Sequence, residues 1–206
     1  MNHSDIEISE RRVAYQGYFR IEAYRLRHRL FAGGWSHELS RELFDRGRVV
    51  GVLLYDPDRD AVILVEQFRI GALEAGRAPW VVEIVAGVIE PGEAAADVAR
   101  RETQEEAGCV VGELLPLYDY LVSPGCSSEY VALFCGRVDS SNVGGIHGLP
   151  HEHEDIRVSV VGVDDALRAL ADGRIANSMS IIALQWLALN RERLRHRWRN
   201  GRALGA

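Results

Sequence analysis

The chain has 206 residues, 47% of them hydrophobic, enough for one globular domain with a substantial core or one domain with an appendage. A net charge of −6 argues against nucleic-acid binding through a basic field, and Cys109, Cys126 and Cys135 lack the number and spacing of a disulfide framework or a zinc site. No apolar run approaches a membrane span and residues 1–10 lack signal-peptide features, so a soluble cytoplasmic protein is expected.

From Arg12 to about Tyr55 the sequence reads as strands. Residues 20–30 alternate Ile21 and Ala23 with Arg20 and Glu22, and further extended runs follow at 36–44 and 49–55. Gly33-Gly34 and Asp56-Pro57-Asp58 are turns. Residues 61–67 form a short, almost wholly apolar strand, and 80–88 another that leads into the stretch G-V-I-E-P-G-E-A-A-A-D-V-A-R-R-E-T-Q-E-E-A-G-C, residues 87–109.

The second half of that stretch is expected to be a helix. Pro91-Gly92 breaks what precedes it, an alanine-rich run with high helix propensity follows, and Gly108 sits where a helix stops. At about 100° per residue, Glu93, Asp97, Arg100, Arg101 and Gln104 gather on one side, and Ala95, Val98 and Ala99 on the other. Glu102 and Glu106 project in line with the apolar stripe, with Glu105 beside it. Carboxylates three and four residues apart repel each other, and facing the protein body they also lose solvation. A compensating cation is therefore expected, and hard oxygen ligands suit a divalent ion, Mg²⁺ first. Most acidic runs are solvated helix faces, and two glutamates alone would be read so. Gly87, Glu93, Arg101, Glu102, Glu105, Glu106 and Gly108 together match by chance on the order of a few times in a million at ordinary residue usage.

After the helix, residues 117–122, 130–138 and 157–163 are strand candidates. Residues 139–155 form a polar, glycine-containing loop of the kind that is usually functional or mobile. A short helix over 164–172 is closed by Gly173. Asn177 or Ser178 caps a last helix with Ile181, Ile182, Leu184, Leu187 and Leu189 inward, and the basic tail after Arg191 is expected to fray. Strands surrounding one acidic helix, without regular β-α alternation, point to an α+β domain with helices packed on a sheet.

His151-Glu152-His153-Glu154 lacks the i, i+4 helical spacing of a zinc protease. Its carboxylates matter more, since diphosphate hydrolysis needs a base for the attacking water and a mobile loop can deliver one; Glu152 and Glu154 are both candidates. Arg41, Arg46 and Arg69 suit bidentate phosphate contact, and Tyr18 and Phe19 offer a face on which a base could stack.

Residues 87–109 resemble the signature of the Nudix hydrolases, G-x5-E-x7-R-E-U-x-E-E-x-G-U, with Thr103 and Cys109 at two positions that are ordinarily hydrophobic. From about Val13 to Leu189 the chain is similar to the bacterial ADP-ribose pyrophosphatase branch, through S-H-E-L-S-R-E-L-F-D-R-G, E-Q-F-R-I-G-A, P-W-V-V-E-I-V-A-G, E-D-I-R-V and Pro124, sixteen residues after Gly108. The resemblance implies a Nudix fold, a mixed sheet between helices (an α/β/α sandwich) over residues 47–206, with an N-terminal β extension over 1–46 exchanged in a homodimer. It implies Mg²⁺-dependent hydrolysis of ADP-ribose to AMP and ribose 5-phosphate, with Mn²⁺ a possible substitute and neither nucleic acid nor membrane as partner.

By position, Glu102, Glu106, the Ala86 carbonyl and Glu154 would hold metal, Glu105 would join or support that shell, and Glu152 would be the base. Arg101 and Glu93 would pair to hold the loop before the helix. Tyr18, Phe19, Arg41, Glu42, Arg46, Arg69, Val88 and Glu129 would contact substrate, with Ser123, Pro124 and Gly125 near its terminal ribose. The alternatives are another nucleotide sugar, such as GDP-mannose or ADP-glucose, and a non-catalytic ADP-ribose sensor; the intact carboxylates speak against the sensor.

Overall fold

The computed structural model describes residues 2–200. It divides into two compact units, one of residues up to 48 together with 120–130, the other of 49–119 together with the residues from 131 onward.

In the first unit β1 (Ile6–Gln16), β2 (Arg20–His28) and β3 (Leu39–Asp45) form an antiparallel sheet in the order β1-β2-β3. The strand region thus opens at Ile6, earlier than Arg12, because Ile6 and Ile8 already alternate with polar neighbours. Every residue of β1 is exposed. Glu22 on β2 is buried. Arg11 Nε donates to its carboxylate at 2.9 Å, the Tyr24 hydroxyl at 2.5 Å, and Arg20 lies 3.2 Å away. The Arg11 hydrogen bond, seconded by that of Tyr24, holds the carboxyl below its usual range. The segment around Pro124 is laced to β3: the Phe44 amide donates to the Cys126 carbonyl at 2.8 Å, and the Ser128 amide to the Phe44 carbonyl at 3.0 Å.

The remaining strands are β4 (Arg48–Asp56), β5 (Ala61–Phe68), β6 (Trp80–Glu83), β7 (Val85–Ile89), β8 (Leu114–Leu121), β9 (Tyr130–Arg137), β10 (Gly145–His147) and β11 (Ile156–Gly162). They make an eight-stranded sheet in the order β10-β11-β5-β4-β9-β8, with β6 on β5 and β7 on β4. The helices are α1 (Ile70–Glu74), α2 (Ala95–Ala107), α3 (Val163–Ala171) and α4 (Ser178–Asn200).

Strand β4 explains the layering. Side chains alternate across a strand, yet Val49 to Tyr55 are buried without interruption, so both faces must be covered. Val50, Val52 and Leu54 join Val98, Ala99 and Ala107 of α2 in one core. On the other face Tyr55 lies 6.2 Å from the ring of Trp198 on α4, and Gly51 leaves room for Met179. Helices on both faces of the sheet give the expected sandwich.

The extended run at 80–88 is broken at Ile84, whose amide donates to the buried Ser180 hydroxyl at 3.0 Å instead of to a strand. Asn177 accepts from the Ser180 amide at 3.1 Å and donates to the Val82 carbonyl at 2.8 Å. Asn177 is therefore the cap, and it ties the start of α4 to the kink.

The tail does not fray after Arg191. Helix α4 runs to Asn200, because its basic residues are interleaved with an inward row of Leu187, Leu194 and Trp198. Trp198 Nε1 donates to Glu113 at 2.8 Å, and Arg191 Nε donates to Asp60 at 3.0 Å, at the turn between β4 and β5. Helix α1 and strand β10 lie in segments that carried no such expectation; β10 is a three-residue edge inside the 139–155 loop, closed by its pairing with β11. No described helix is long and apolar enough to cross a membrane.

Trp198→Ala should cost about 3–5 kcal/mol by emptying a packed site, and ending the chain at Asn190 should lower the urea midpoint further by also removing the Asp60 ion pairs. An unchanged midpoint in both would return the tail to solvent.

Candidate active site

Helix α2 has no side-chain cap at Ala94; the turn before it is instead closed by Glu93, whose carboxylate accepts from the Glu90 amide at 2.8 Å. Gly108 ends the helix with φ 62, a left-handed conformation open to glycine at little cost. Thr103 and Cys109, polar by name, both fill core positions. The Thr103 hydroxyl is satisfied by the Ala99 carbonyl at 2.6 Å.

Three carboxylates follow the apolar stripe inward. Glu106 is 3% exposed, and the side chains of Glu102 and Glu105 are 13% and 26% exposed. Across from them lies β7, where the Ala86 amide donates to Glu106 Oε2 at 3.1 Å. Gly87 is required by contact: a Cβ there would overlap the Glu102 carboxylate. Burial pushes Glu102 up to about 7 and Glu106 up to about 8. Arg101 opposes the shift at Glu102, while Glu105, Glu154 and Glu152 add to it. Glu102 and Glu154 likewise raise Glu106, against the Ala86 hydrogen bond and the charge of Arg69. The loop glutamates and the helix glutamates therefore share one electrostatic neighbourhood.

Glu152 stands exposed at the end of a short 3-10 turn (Pro150–Glu152), 3.8 Å from His151 Nε2. His153 adopts φ 58, which costs a side-chain-bearing residue roughly 1–2 kcal/mol and turns the chain between the two loop carboxylates. Glu154 accepts from the Leu149 amide at 3.0 Å. Arg69 precedes α1 and donates through Nε to Glu83 at 2.8 Å; Glu83 carried no sequence signal, since strand pairing alone brings β5 beside β6. Val88 sits half-buried on β7 beside Gly87.

Arg101 does not pair with Glu93. Its guanidinium lies 2.9 Å from Glu102 and 3.0 Å from Glu105. These two half-buried acids outcompete one that already closes the turn.

In the first unit Phe19 meets Tyr18 edge-on at 4.8 Å and Phe44 at 5.0 Å, and the Arg46 guanidinium lies 5.2 Å from its ring. Tyr18 is almost wholly exposed. The Arg46 amide donates to Ser128 Oγ at 3.1 Å. Arg41 and Glu42 are exposed on β3, opposite Tyr24 and Ala23, and Arg41 donates to the Ser40 carbonyl at 2.8 Å. The Ser123 carbonyl accepts from the Ser127 amide at 2.9 Å, Pro124 and Gly125 are exposed beside it, and the Glu129 carbonyl accepts from Val122 at 3.2 Å.

Among the described residues no group of three His, Cys, Asp or Glu side chains is closed around a coordination point. The hydrogen bonds explain this: Arg101 draws off Glu102 and Glu105, and amides occupy Glu106 and Glu154. The donor set still fits a hard divalent cation. All its groups are oxygens, and the raised protonation of Glu102 and Glu106 marks a deficit of positive charge.

Both shifts are upward, so the metal-free folded state holds more protons than the unfolded chain between pH 4.5 and about 8. Stability from these groups is present below pH 4.5 and lost as pH rises through that window. Denaturation of chelated protein should therefore show stability declining from pH 5 to 8, and a divalent ion should restore more of it at pH 8 than at pH 6. A flat profile with no ion effect would remove the cation from this site.

Residues 45–190 match the NUDIX domain family model. The chain is 48% identical over 195 residues to the ADP-ribose pyrophosphatase of Escherichia coli strain K12, covering 95% of this chain and 93% of that protein. It is 32% identical over 186 residues to the GDP-mannose pyrophosphatase of Pectobacterium atrosepticum, covering 88% and 93%. A crystal structure of an ADP compounds hydrolase superposes with a TM-score of 0.68 at 19% identity, over 89% of this chain and 95% of the other, a likeness of fold. Nudix hydrolases generally use a divalent metal, in keeping with the carboxylates of α2. The chain belongs to the Nudix hydrolase family.

Proposed function

We propose that the protein hydrolyses the diphosphate bond of ADP-ribose, with Mg²⁺ bound, giving AMP and ribose 5-phosphate. One observation carries the reading: the loop carboxylate Glu154 acts electrostatically on both Glu102 and Glu106, and its neighbour Glu152 on Glu102, so acids of the loop and of α2 face one site, as a diphosphate hydrolase needs. Identity of 48% to an ADP-ribose pyrophosphatase, against 32% to a GDP-mannose pyrophosphatase, favours ADP-ribose.

In this reading Glu102, Glu106, Glu154 and the Ala86 carbonyl hold Mg²⁺, or Mn²⁺ in its place, and Glu105 supports them. The bound ion supplies charge neutralisation at the phosphate oxygens. Glu152, the most exposed of these acids, takes the proton of the attacking water. The water oxygen bonds to one phosphorus as the bridging P–O bond breaks, and the electron pair leaves on the departing phosphate. Glu152 then releases its proton to that phosphate or to solvent. Arg69 brings positive charge to the phosphates. Tyr18, Phe19, Arg41 and Glu42 of one subunit reach the adenosine pocket of the other, and Arg46, Val88, Ser123, Pro124, Gly125 and Glu129 complete the substrate contacts. A cytoplasmic location suits three free cysteines.

We also propose that residues 1–46 are an extension exchanged in a homodimer. A three-stranded sheet with β1 wholly exposed, and with Ile8, Val13 and Tyr15 open on it, buries too little apolar surface to stand alone.

Mass spectrometry of products from ADP-ribose, ADP-glucose and GDP-mannose tests the substrate. Selective AMP and ribose 5-phosphate from ADP-ribose is the expected result, and preference for another sugar overturns it. Glu152→Gln should lower kcat by about 10²–10⁴-fold with little change in KM; an unchanged kcat moves the base to Glu154. Sedimentation at micromolar concentration should show a dimer, and a monomer would refute the exchange.

A further inference from the structure

The carboxylates of the 144–155 loop are useful only if the loop is held at a set distance from α2, and the means of holding it lies outside the acidic residues. Strand β10 is an edge of three residues, too short to fix the loop by pairing alone. The imidazole of His147, at the end of β10, packs against Gly108, the residue that ends α2. A Cβ at Gly108 would overlap that ring, with Nδ1 at 2.7 Å. Glycine at this position therefore does two things: it turns the helix end and leaves a seat for the imidazole.

The ring is also tied to its own loop. His147 Nε2 lies 2.9 Å from the Gly144 carbonyl, and since a carbonyl only accepts, Nε2 is the protonated nitrogen. The next residue continues the attachment, because the Gly148 amide donates to the Glu105 carbonyl on α2 at 3.3 Å. The loop then folds back on this stem. Glu154 packs against Gly148, its carboxylate accepts from the Leu149 amide at 3.0 Å, and its amide donates to the Leu149 carbonyl at 3.3 Å.

We propose that His147 is a positioning residue which seats the loop stem on the C-terminal end of α2, and thereby sets the distance from Glu152 and Glu154 to Glu102 and Glu106. The catalytic half of this inference rests on the reading of Glu152 as the base, while the anchoring half does not. The stem is held at His147 while the 3-10 turn beyond it is exposed, so the position of the turn depends on the seat of that ring. A small displacement there is costly, since about 1 Å of misplacement removes on the order of 10²-fold in rate.

Amide hydrogen exchange of the full-length protein and steady-state kinetics on ADP-ribose together test the assignment. His147→Ala should speed exchange at Gly148 and Glu154 by about 10-fold or more as local opening becomes easier, leaving the amides of β4 and β5 unchanged. It should lower kcat about 10-fold or more with KM within about threefold. His147→Phe, which keeps a ring in the seat, should recover most of the protection and of kcat. Unchanged exchange at Gly148 and Glu154 in His147→Ala overturns the anchor. Faster exchange with unchanged kcat, or a rise in KM alone, overturns its catalytic consequence. If the unaltered protein does not turn over ADP-ribose, the proposed function fails, and the exchange comparison still decides the anchor.

Discussion

Negative charge buried on the inner face of α2 is the constraint to which the rest of the second unit answers. Val98 and Ala99 pull the helix onto the sheet, and the same helical phase carries Glu102 and Glu106 inward one and two turns later. Nothing in an apolar core compensates a carboxylate, so its surroundings are made of whatever can. Ala86 lends an amide, Gly87 gives up a side chain, and Arg101 turns back along its own helix. These compensations are partial, and the glutamates remain reluctant to ionise. A site that is poor at holding its own charge is good at holding a divalent cation, and that links the packing of the helix to its chemistry.

The helix and its acids were legible because each depends on residues close in sequence: Pro91-Gly92 before it, Gly108 after it, and a 3.6-residue period between. Strands were legible where the apolar pattern was strong, as in β4 and β5. What escaped depends on partners distant in the chain. The break at Ile84 comes from Ser180, the pairing of Arg69 with Glu83 comes from the register of β5 on β6, and the short strand β10 exists only because β11 is beside it. Charge misled twice. The basic tail after Arg191 read as fraying, yet the intervening Leu194 and Trp198 carry the helix onward. The resemblance implies that Glu93 pairs with Arg101, yet Arg101 lies against Glu102 and Glu105 on its own helix.

The site divides into parts of unlike rigidity. Helix α2 and strand β7 are fixed by the core beneath them, whereas Glu152 and Glu154 ride on a turn that contains His153 in a left-handed conformation. Glu102, Glu106 and Ala86 therefore form a fixed frame, against which any displacement of the turn carries Glu152 and Glu154 together.

The ion pair between Arg191 and Asp60 joins residues 131 positions apart, one in the turn between β4 and β5 and the other in the last helix. A polypeptide is made from its N-terminus, so β4 and β5 leave the ribosome long before the residues that cover their outer face. Until α4 follows, Tyr55 and its neighbours on that face are bare, and the turn acid has no counter-charge. The outer face of the sheet therefore stays uncovered until α4 is made, and a chain released before that helix would be left half-covered.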